Sequence, residues 1–151
     1  MKRKDKYLLR VTKIEELQVH DTPGHTLTLT EMEGEPIEYE PGLAGEFVTR
    51  RSVTFHDRTK GSGPMEGYVM AYFQEGSAYS RFEGQRDGKT KVSAGTWKTY
   101  HSTGKLAGIK GEGTFRVTAG ERWNEYILEL EGEYEAASSG QDLILLPCAF
   151  L

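Results

Sequence analysis

Apolar and polar residues alternate along two segments of this chain. In residues 125–134, tyrosine, leucine and glycine occupy every second position, and four of the five positions between them are glutamate. Segment 25–32 alternates in the same way, with Leu27 and Leu29 set against threonines. A period of two places each set on one face of a strand, whereas helical spacing would scatter both sets around the axis. We therefore predict a strand at each segment, with its apolar face buried and its polar face in water.

Turn-forming residues divide the rest of the chain into runs of strand length. Segment 95–115 shows this most clearly, because it holds five glycines, and each costs about 1 kcal/mol relative to alanine inside a helix. Only residues 13–18 and 142–146 have the composition of short helices. The predicted strands are residues 7–12, 25–32, 46–56, 66–74, 78–85, 91–99, 110–118 and 126–135, with 143–146 as a possible ninth.

Consecutive strands joined by short turns predict an antiparallel meander, and 151 residues suit a single domain, 1–151. An open meander without covering helices would leave two exposed edges, which closure removes. The expected fold is therefore all-β, a closed antiparallel eight-stranded barrel of lipocalin-like architecture. Its lumen is either filled by side chains or wide enough for one small ligand. The longest irregular connection, 34–45, carries Ile37, Tyr39 and Leu43, which suit either a lid over the barrel mouth or a subunit contact.

The charge of the chain is unevenly distributed. Its net charge of -4 argues against a nucleic-acid partner, yet residues 1–13 carry +5, which leaves -9 for the remainder. We expect residues 1–6 to form a basic N-terminal arm, either solvated or touching an anionic partner. No apolar targeting segment is visible, and the lone Cys148 cannot form an intrachain disulfide, so we expect a cytoplasmic protein.

The C-terminal tail, 136–151, ends in an apolar run that is too short to cross a bilayer. It must bury itself by closing the barrel, plugging one end or docking on another subunit. A concentrated apolar tail makes a homo-oligomer the expected state, with no membrane partner.

Four short motifs carry a resemblance to a known family. They are GSAYSRFEGQRDGK at 76–89, GTWK at 95–98, TGKLAGIKGEGTF at 103–115 and ELEGEY at 129–134. Together they cover about the second half of the chain, which resembles the allene oxide cyclase-like barrels of the calycin-type superfamily, and most closely their uncharacterised small bacterial members. The resemblance implies an eight-stranded antiparallel barrel, often oligomeric, whose lumen holds an apolar small molecule. It also implies isomerase or cyclase chemistry without a metal or organic cofactor, but it assigns no catalytic residue.

Arg50 and His56 are the first candidates for chemistry, because they share one face of the predicted strand 46–56. If that face points inward, arginine could bind a carboxylate through its two-pronged guanidinium, and histidine could move a proton near neutral pH. The simpler alternative places both residues outside, among acidic neighbours.

Glu83 is the second candidate for acid–base chemistry, since an apolar lumen would raise the pKa of its carboxyl group. Arg81 shares its face, as it also would in an ordinary exposed ladder. Tyr68 and Tyr72 share a face with Met70 and could form walls of a ligand pocket or simply pack in the core. Trp97 is expected inside the barrel, in the core or in the lumen, where it would help to shape the ligand pocket.

No metal or cofactor site is predicted. The four histidines lack the close spacing of metal ligands, and no nucleophile elbow, phosphate loop or dinucleotide motif is present. We therefore expect a cofactor-free isomerase, cyclase or lyase that acts on a small apolar or amphipathic molecule in the lumen. The alternatives are a non-catalytic lipocalin-like small-molecule binding protein and a structural barrel with a packed lumen.

Overall fold

The computed structural model describes residues 1–136, and every regular element among them is a β-strand. Each strand pairs antiparallel with the next, and β8 pairs with β1, so the sheet closes on itself. This confirms the predicted all-β, closed eight-stranded barrel. The strands are β1 (Lys2–Gln18), β2 (His25–Glu38), β3 (Phe47–Thr59), β4 (Gly63–Phe73), β5 (Gly76–Asp87), β6 (Val92–Gly104), β7 (Lys110–Ala119) and β8 (Glu125–Glu135).

The alternating strand directions give the barrel two different ends. The turns 19–24, 60–62, 88–91 and 120–124 lie at one end, which we call the mouth. The connections 39–46, 74–75 and 105–109 lie at the opposite end, where Ala44, Leu106 and Ile109 are buried in the hydrophobic core. We call this the closed end, because these loops pack into the barrel rather than stand above it.

Loop 39–46 is the principal cover of the closed end. Its Tyr39 stacks on Phe73 with ring centroids 6.2 Å apart and contacts Phe47 edge-on. Arg3 fastens the loop to β1, because its guanidinium donates to the Glu40 carbonyl oxygen at 2.7 Å and lies over the Tyr39 ring. The predicted irregular stretch 34–45 begins too early, since β2 continues to Glu38.

The basic N-terminal segment is not a free arm. It forms the start of β1, where Lys2, Lys4 and Lys6 lie directly opposite Glu133, Glu131 and Glu129 of β8. Residues 13–18 are also part of β1 and not a helix, because they pair with 26–31 of β2. Apart from Ala136, which packs against the core, the predicted apolar tail 136–151 lies outside the described residues.

Inward glycines make room for large aromatic side chains. A Cβ added to Gly132 would overlap the Trp97 indole, and one added to Gly67 would meet the Phe82 ring at 2.7 Å. Trp97 and Phe82 thereby reach across the inner surface. Among the described residues there is no helix that could cross a membrane.

Candidate functional site: the barrel lumen

The lumen contains a cavity of about 160 Å³. Every strand contributes to its lining, and β3 alone contributes five successive inward positions, Arg50, Ser52, Thr54, His56 and Arg58. The cavity therefore runs along the strand as a narrow channel. Its volume suffices for an organic molecule, since an engineered cavity of about 150 Å³ takes up benzene.

The two walls of this channel differ in polarity. On β2 and β3 most inner positions are polar: Thr28 and Thr30 are 2% and 5% exposed, and Ser52 and Thr54 are buried beside them. On β7 and β8 the inner side chains are mainly apolar, with Phe115 and Leu128 buried, and Trp97 of β6 is buried beside them. The lumen is thus amphipathic across its width.

The polar wall reverses the expectation for residues 25–32. Leu29 is 47% exposed, whereas the threonines on either side of it are buried, so the predicted apolar inner face of this strand is wrong. The reason is that the lumen beside β2 is a polar surface rather than a hydrophobic core. A rule that sends the apolar face inward fails where the inner surface of the barrel is itself polar.

A β-bulge positions Arg50. The pairing of β3 with β4 shifts between Phe47 and Thr49, so the extra residue Val48 points to solvent while Phe47 and Arg50 both face inward. Simple alternation would send Phe47 and Arg50 to opposite faces. The bulge therefore places the Phe47 ring and the Arg50 guanidinium on the same inner surface of the barrel.

Arg50 is a buried cation without an anionic partner in the part of the chain that the structure describes. Its side chain is 6% exposed, and its guanidinium lies 5.3 Å from the centre of the Tyr7 ring. Among residues 1–136 its Nη1 has no hydrogen-bond partner, and no carboxylate forms a salt bridge with it. Burial lowers the pKa of Arg50 to about 10, so the group keeps its charge at neutral pH. Stacking on Tyr7 offsets only part of the several kcal/mol that an unpaired buried charge costs.

His56 also faces the lumen, but it is held neutral. Its Nδ1 lies 3.1 Å from Arg58 Nη2, and because a guanidinium only donates, Nδ1 must accept and the proton sits on Nε2. Burial and the nearby charges of Arg58 and Arg86 lower the pKa of His56 to about 3. A pKa lowered in this way leaves the imidazole neutral at neutral pH, and a catalytic part for His56 stays a prediction. Its Nε2–H can still donate a hydrogen bond to a ligand.

A second cationic position lies near the mouth, formed by Arg58 and Arg86. Arg58 Nε is buried without a hydrogen-bond partner among the described residues, and Arg86 Nη1 donates to the Gly61 carbonyl at 2.6 Å. Burial, followed by the charge of Arg86, lowers the pKa of Arg58. Our candidates from the sequence omit both residues. Arg58 could have been found, because it continues the alternation that joins Arg50 and His56.

The lumen has the opposite charge to the protein as a whole. Four cations line it, namely Arg50, Arg58, Arg86 and Lys91, whereas Asp5 is the one carboxylate among the described lining residues. Asp5 is already engaged by Arg3 at 3.0 Å, and burial raises the pKa of its carboxyl group. These four cations and one carboxylate make the lumen positive, although the whole chain carries a net charge of -4.

The remaining candidates divide between the two faces of the barrel. Trp97 lines the lumen, where its Nε1 donates to the Thr114 carbonyl at 3.2 Å and its ring packs on Tyr134. Its part in ligand binding stays a prediction. Glu83, Tyr68 and Tyr72 are exposed on the outer face, so the expectation that they act in the lumen is wrong.

Strand alternation explains these outward placements. Ala78, Ser80 and Phe82 of β5 face the lumen, so Glu83 must face solvent, opposite Glu66 of β4. Tyr68 and Tyr72 form edge-on pairs with Tyr100 and Tyr79 on the outer surface.

Among residues 1–136, no three side chains of the types that bind metals come together. The expected homo-oligomer stays a prediction.

Comparison with known proteins supports the fold. The chain matches no protein-family model and no curated protein. Among solved structures it is similar to a protein of unknown function from the DUF3224 family of Shewanella oneidensis MR-1. The TM-score is 0.55 and the sequence identity is 17%, over 91% of this chain and 98% of that chain. A likeness at this identity extends to the barrel and not to the allene oxide cyclase-like assignment.

Proposed function

We propose that this protein binds a small organic anion inside its barrel. The observation that carries the proposal is Arg50, a guanidinium 6% exposed that faces the cavity and has no anionic partner among the described residues. A charge in that position lowers stability unless an anion neutralises it. A ligand carboxylate, which accepts two hydrogen bonds from one guanidinium, would supply that partner.

The polarity of the walls suggests the rest of the ligand. Trp97, Phe115 and Leu128 offer apolar contact on one side, and Ser52 and Thr54 offer hydroxyl groups on the other. The best fit is an amphipathic carboxylate, whose hydrocarbon part lies against the aromatic wall. An amphipathic carboxylate is consistent with the small amphipathic ligand expected from the sequence, and the proposal specifies in addition that the ligand is negatively charged.

Calorimetric titration with decanoate tests the proposal, because this molecule combines a carboxylate with a narrow apolar chain. The matched pair of variants is Arg50→Met and Arg51→Met. Arg51 is the next residue, but it is exposed and pairs with Glu31 on the outer face. We expect the first variant to lose at least about tenfold in affinity and the second to bind like the parent. Equal binding by both variants would overturn the proposal, as would failure of the parent to bind decanoate, its shorter and longer homologues and the corresponding diacids.

An isomerase, cyclase or lyase acting on such an anion is a second candidate, supported by the resemblance to allene oxide cyclase-like barrels. One structural observation favours it: Asp5 is a lumen carboxyl group whose pKa is raised by burial. In that reaction Arg50 would hold the anionic group of the substrate, and Asp5, rather than Glu83, would transfer a proton.

Ligand recovered from the purified protein by native mass spectrometry provides the test of catalysis. An isomerase would convert the released compound into a product of equal mass and different retention time. Asp5→Asn should abolish that conversion and retain binding. If the compound is returned unchanged by the parent protein, the binding function stands alone.

A further inference from the structure

Two buried side-chain nitrogen atoms lack a hydrogen-bond partner among residues 1–136. Both belong to inward arginines of β3, Nη1 of Arg50 and Nε of Arg58. Some buried polar side chains of the lumen are paired with each other; the Ser80 hydroxyl, for example, lies 3.0 Å from the Thr99 hydroxyl. Unpartnered buried groups are uncommon in folded proteins, and two on one wall of one cavity indicate a shared cause.

These two positions are too far apart to share one small anionic group. Eight residues separate them on one strand, which corresponds to about 26 Å between the Cα atoms at about 3.3 Å per residue. The Arg58 side chain turns back toward His56, since its Nη2 lies 3.1 Å from Nδ1 of that residue. The charges are therefore closer together than the Cα atoms, with Ser52, Thr54 and His56 lining the channel between them.

Long-range attraction of anions to the mouth does not explain why Arg58 Nε is buried without a hydrogen-bond partner among the described residues. Long-range attraction needs only exposed charge, and Lys91, which is exposed at the mouth, already provides it. Burying Arg58 Nε without a partner adds a cost that attraction alone does not require. A group that binds at Arg58 would remove this cost, as one at Arg50 would at the closed end.

We propose that the ligand is an elongated molecule with an anionic group at each end, of the dicarboxylate class. One carboxylate binds Arg50, the other binds Arg58 together with Arg86, and the hydrocarbon between them lies along the apolar wall at Trp97. This inference rests on the proposed function and specifies its ligand. The neutral His56, through Nε2–H, is placed to donate to the second carboxylate or to a polar group near it.

The test compares acids matched in chain length by calorimetry. Hexanedioate, decanedioate and hexadecanedioate are titrated beside hexanoate, decanoate and hexadecanoate. We expect the diacid that spans the two arginines to bind about tenfold or more tightly than its monoacid, since a second charged hydrogen-bonded pair is formed. Arg58→Gln should remove this advantage.

Two control variants separate the possible outcomes. Arg58→Lys keeps the charge and should keep part of the advantage, which shows that a loss in Arg58→Gln is not a folding defect. Arg81→Gln alters an exposed arginine paired with Glu66 and should change nothing. Diacids that bind no better than monoacids at any length would overturn this inference and leave the binding function intact. Failure of monoacids and diacids alike would overturn the binding function itself.

Discussion

Lys4 of β1 lies directly opposite Glu131 of β8, and its Nζ is 3.3 Å from the glutamate Oε1. The same register sets Lys2 opposite Glu133 and Arg10 opposite Glu125, with Arg10 Nη2 3.5 Å from that carboxylate. The uneven charge of the chain is therefore used within the molecule, across the seam where the first and last strands meet. Cross-strand pairs of opposite charge favour one register over a slipped one, even though each exposed pair contributes little.

Charge reversal at this seam should weaken barrel closure. Lys4→Glu places two like charges opposite each other and should lower the free energy of unfolding by about 1 kcal/mol. Urea denaturation measures this change. The compensating double variant Lys4→Glu with Glu131→Lys should recover most of the loss, and high salt should shrink the difference. A loss that the double variant does not recover would assign the effect to something other than this pair.

Gly132 should resist substitution because Trp97 occupies the space of its missing side chain. Gly132→Ala should lower the free energy of unfolding by about 1 to 3 kcal/mol, since the indole must move within a packed wall. Combining it with Trp97→Phe should cost less than the two single changes together. Strict additivity in this double-mutant cycle would contradict the steric explanation.

Protonation of His56 should make the protein less stable in acid. Its folded pKa of about 3 lies below the ordinary 6.5, so the unfolded chain binds the proton more readily than the folded protein does. The stabilisation is complete above about pH 6.5 and is lost as the pH falls toward about 3, with a slope of up to about 1.4 kcal/mol per pH unit. Urea denaturation of the parent and of His56→Gln is measured across this pH range. Both proteins contain the same carboxylates, so the difference between their stability curves reports the titration of His56 alone. Parallel stability curves would mean that His56 does not titrate in this way.

Arg50 should reduce stability in the absence of ligand. Replacing it with methionine removes an unpaired buried charge and keeps apolar contact with Tyr7, so Arg50→Met should raise the free energy of unfolding by about 1 to 3 kcal/mol. The same variant should lose anion binding, so Arg50 would lower stability and at the same time provide the binding function. Thermal and urea unfolding of ligand-free protein check this. A marked loss of stability would instead identify Arg50 as structural support.

The positions of the strands could be predicted because they depend on short-range chemistry. All eight predicted runs correspond to observed strands, since period-two patterns and turn residues act over a few neighbours. The error at 13–18 has a tertiary cause. That segment has helix-forming residues, yet it is a strand because β2 supplies backbone partners along its whole length.

The candidate site could be predicted only in part. Arg50 and His56 share an alternating pattern, but alternation does not reveal which face is inside. For Glu83, Tyr68 and Tyr72 the outer face is the observed one, and nothing local marks it. The bulge at Val48 and the inward threonines of β2 add further exceptions to any rule based on hydrophobicity.

The sequence by itself determined the number and approximate positions of the strands, that they meet in an antiparallel order, and that the first strand is basic and the last acidic. Those properties follow from steric and hydrogen-bonding preferences of neighbouring residues. Only the tertiary structure decided which side chains face the lumen, and that Arg50 and Arg58 each bury a side-chain nitrogen that has no hydrogen-bond partner among the described residues. Closure of the barrel and its bulges determine these features, because both depend on contacts between residues far apart in the chain.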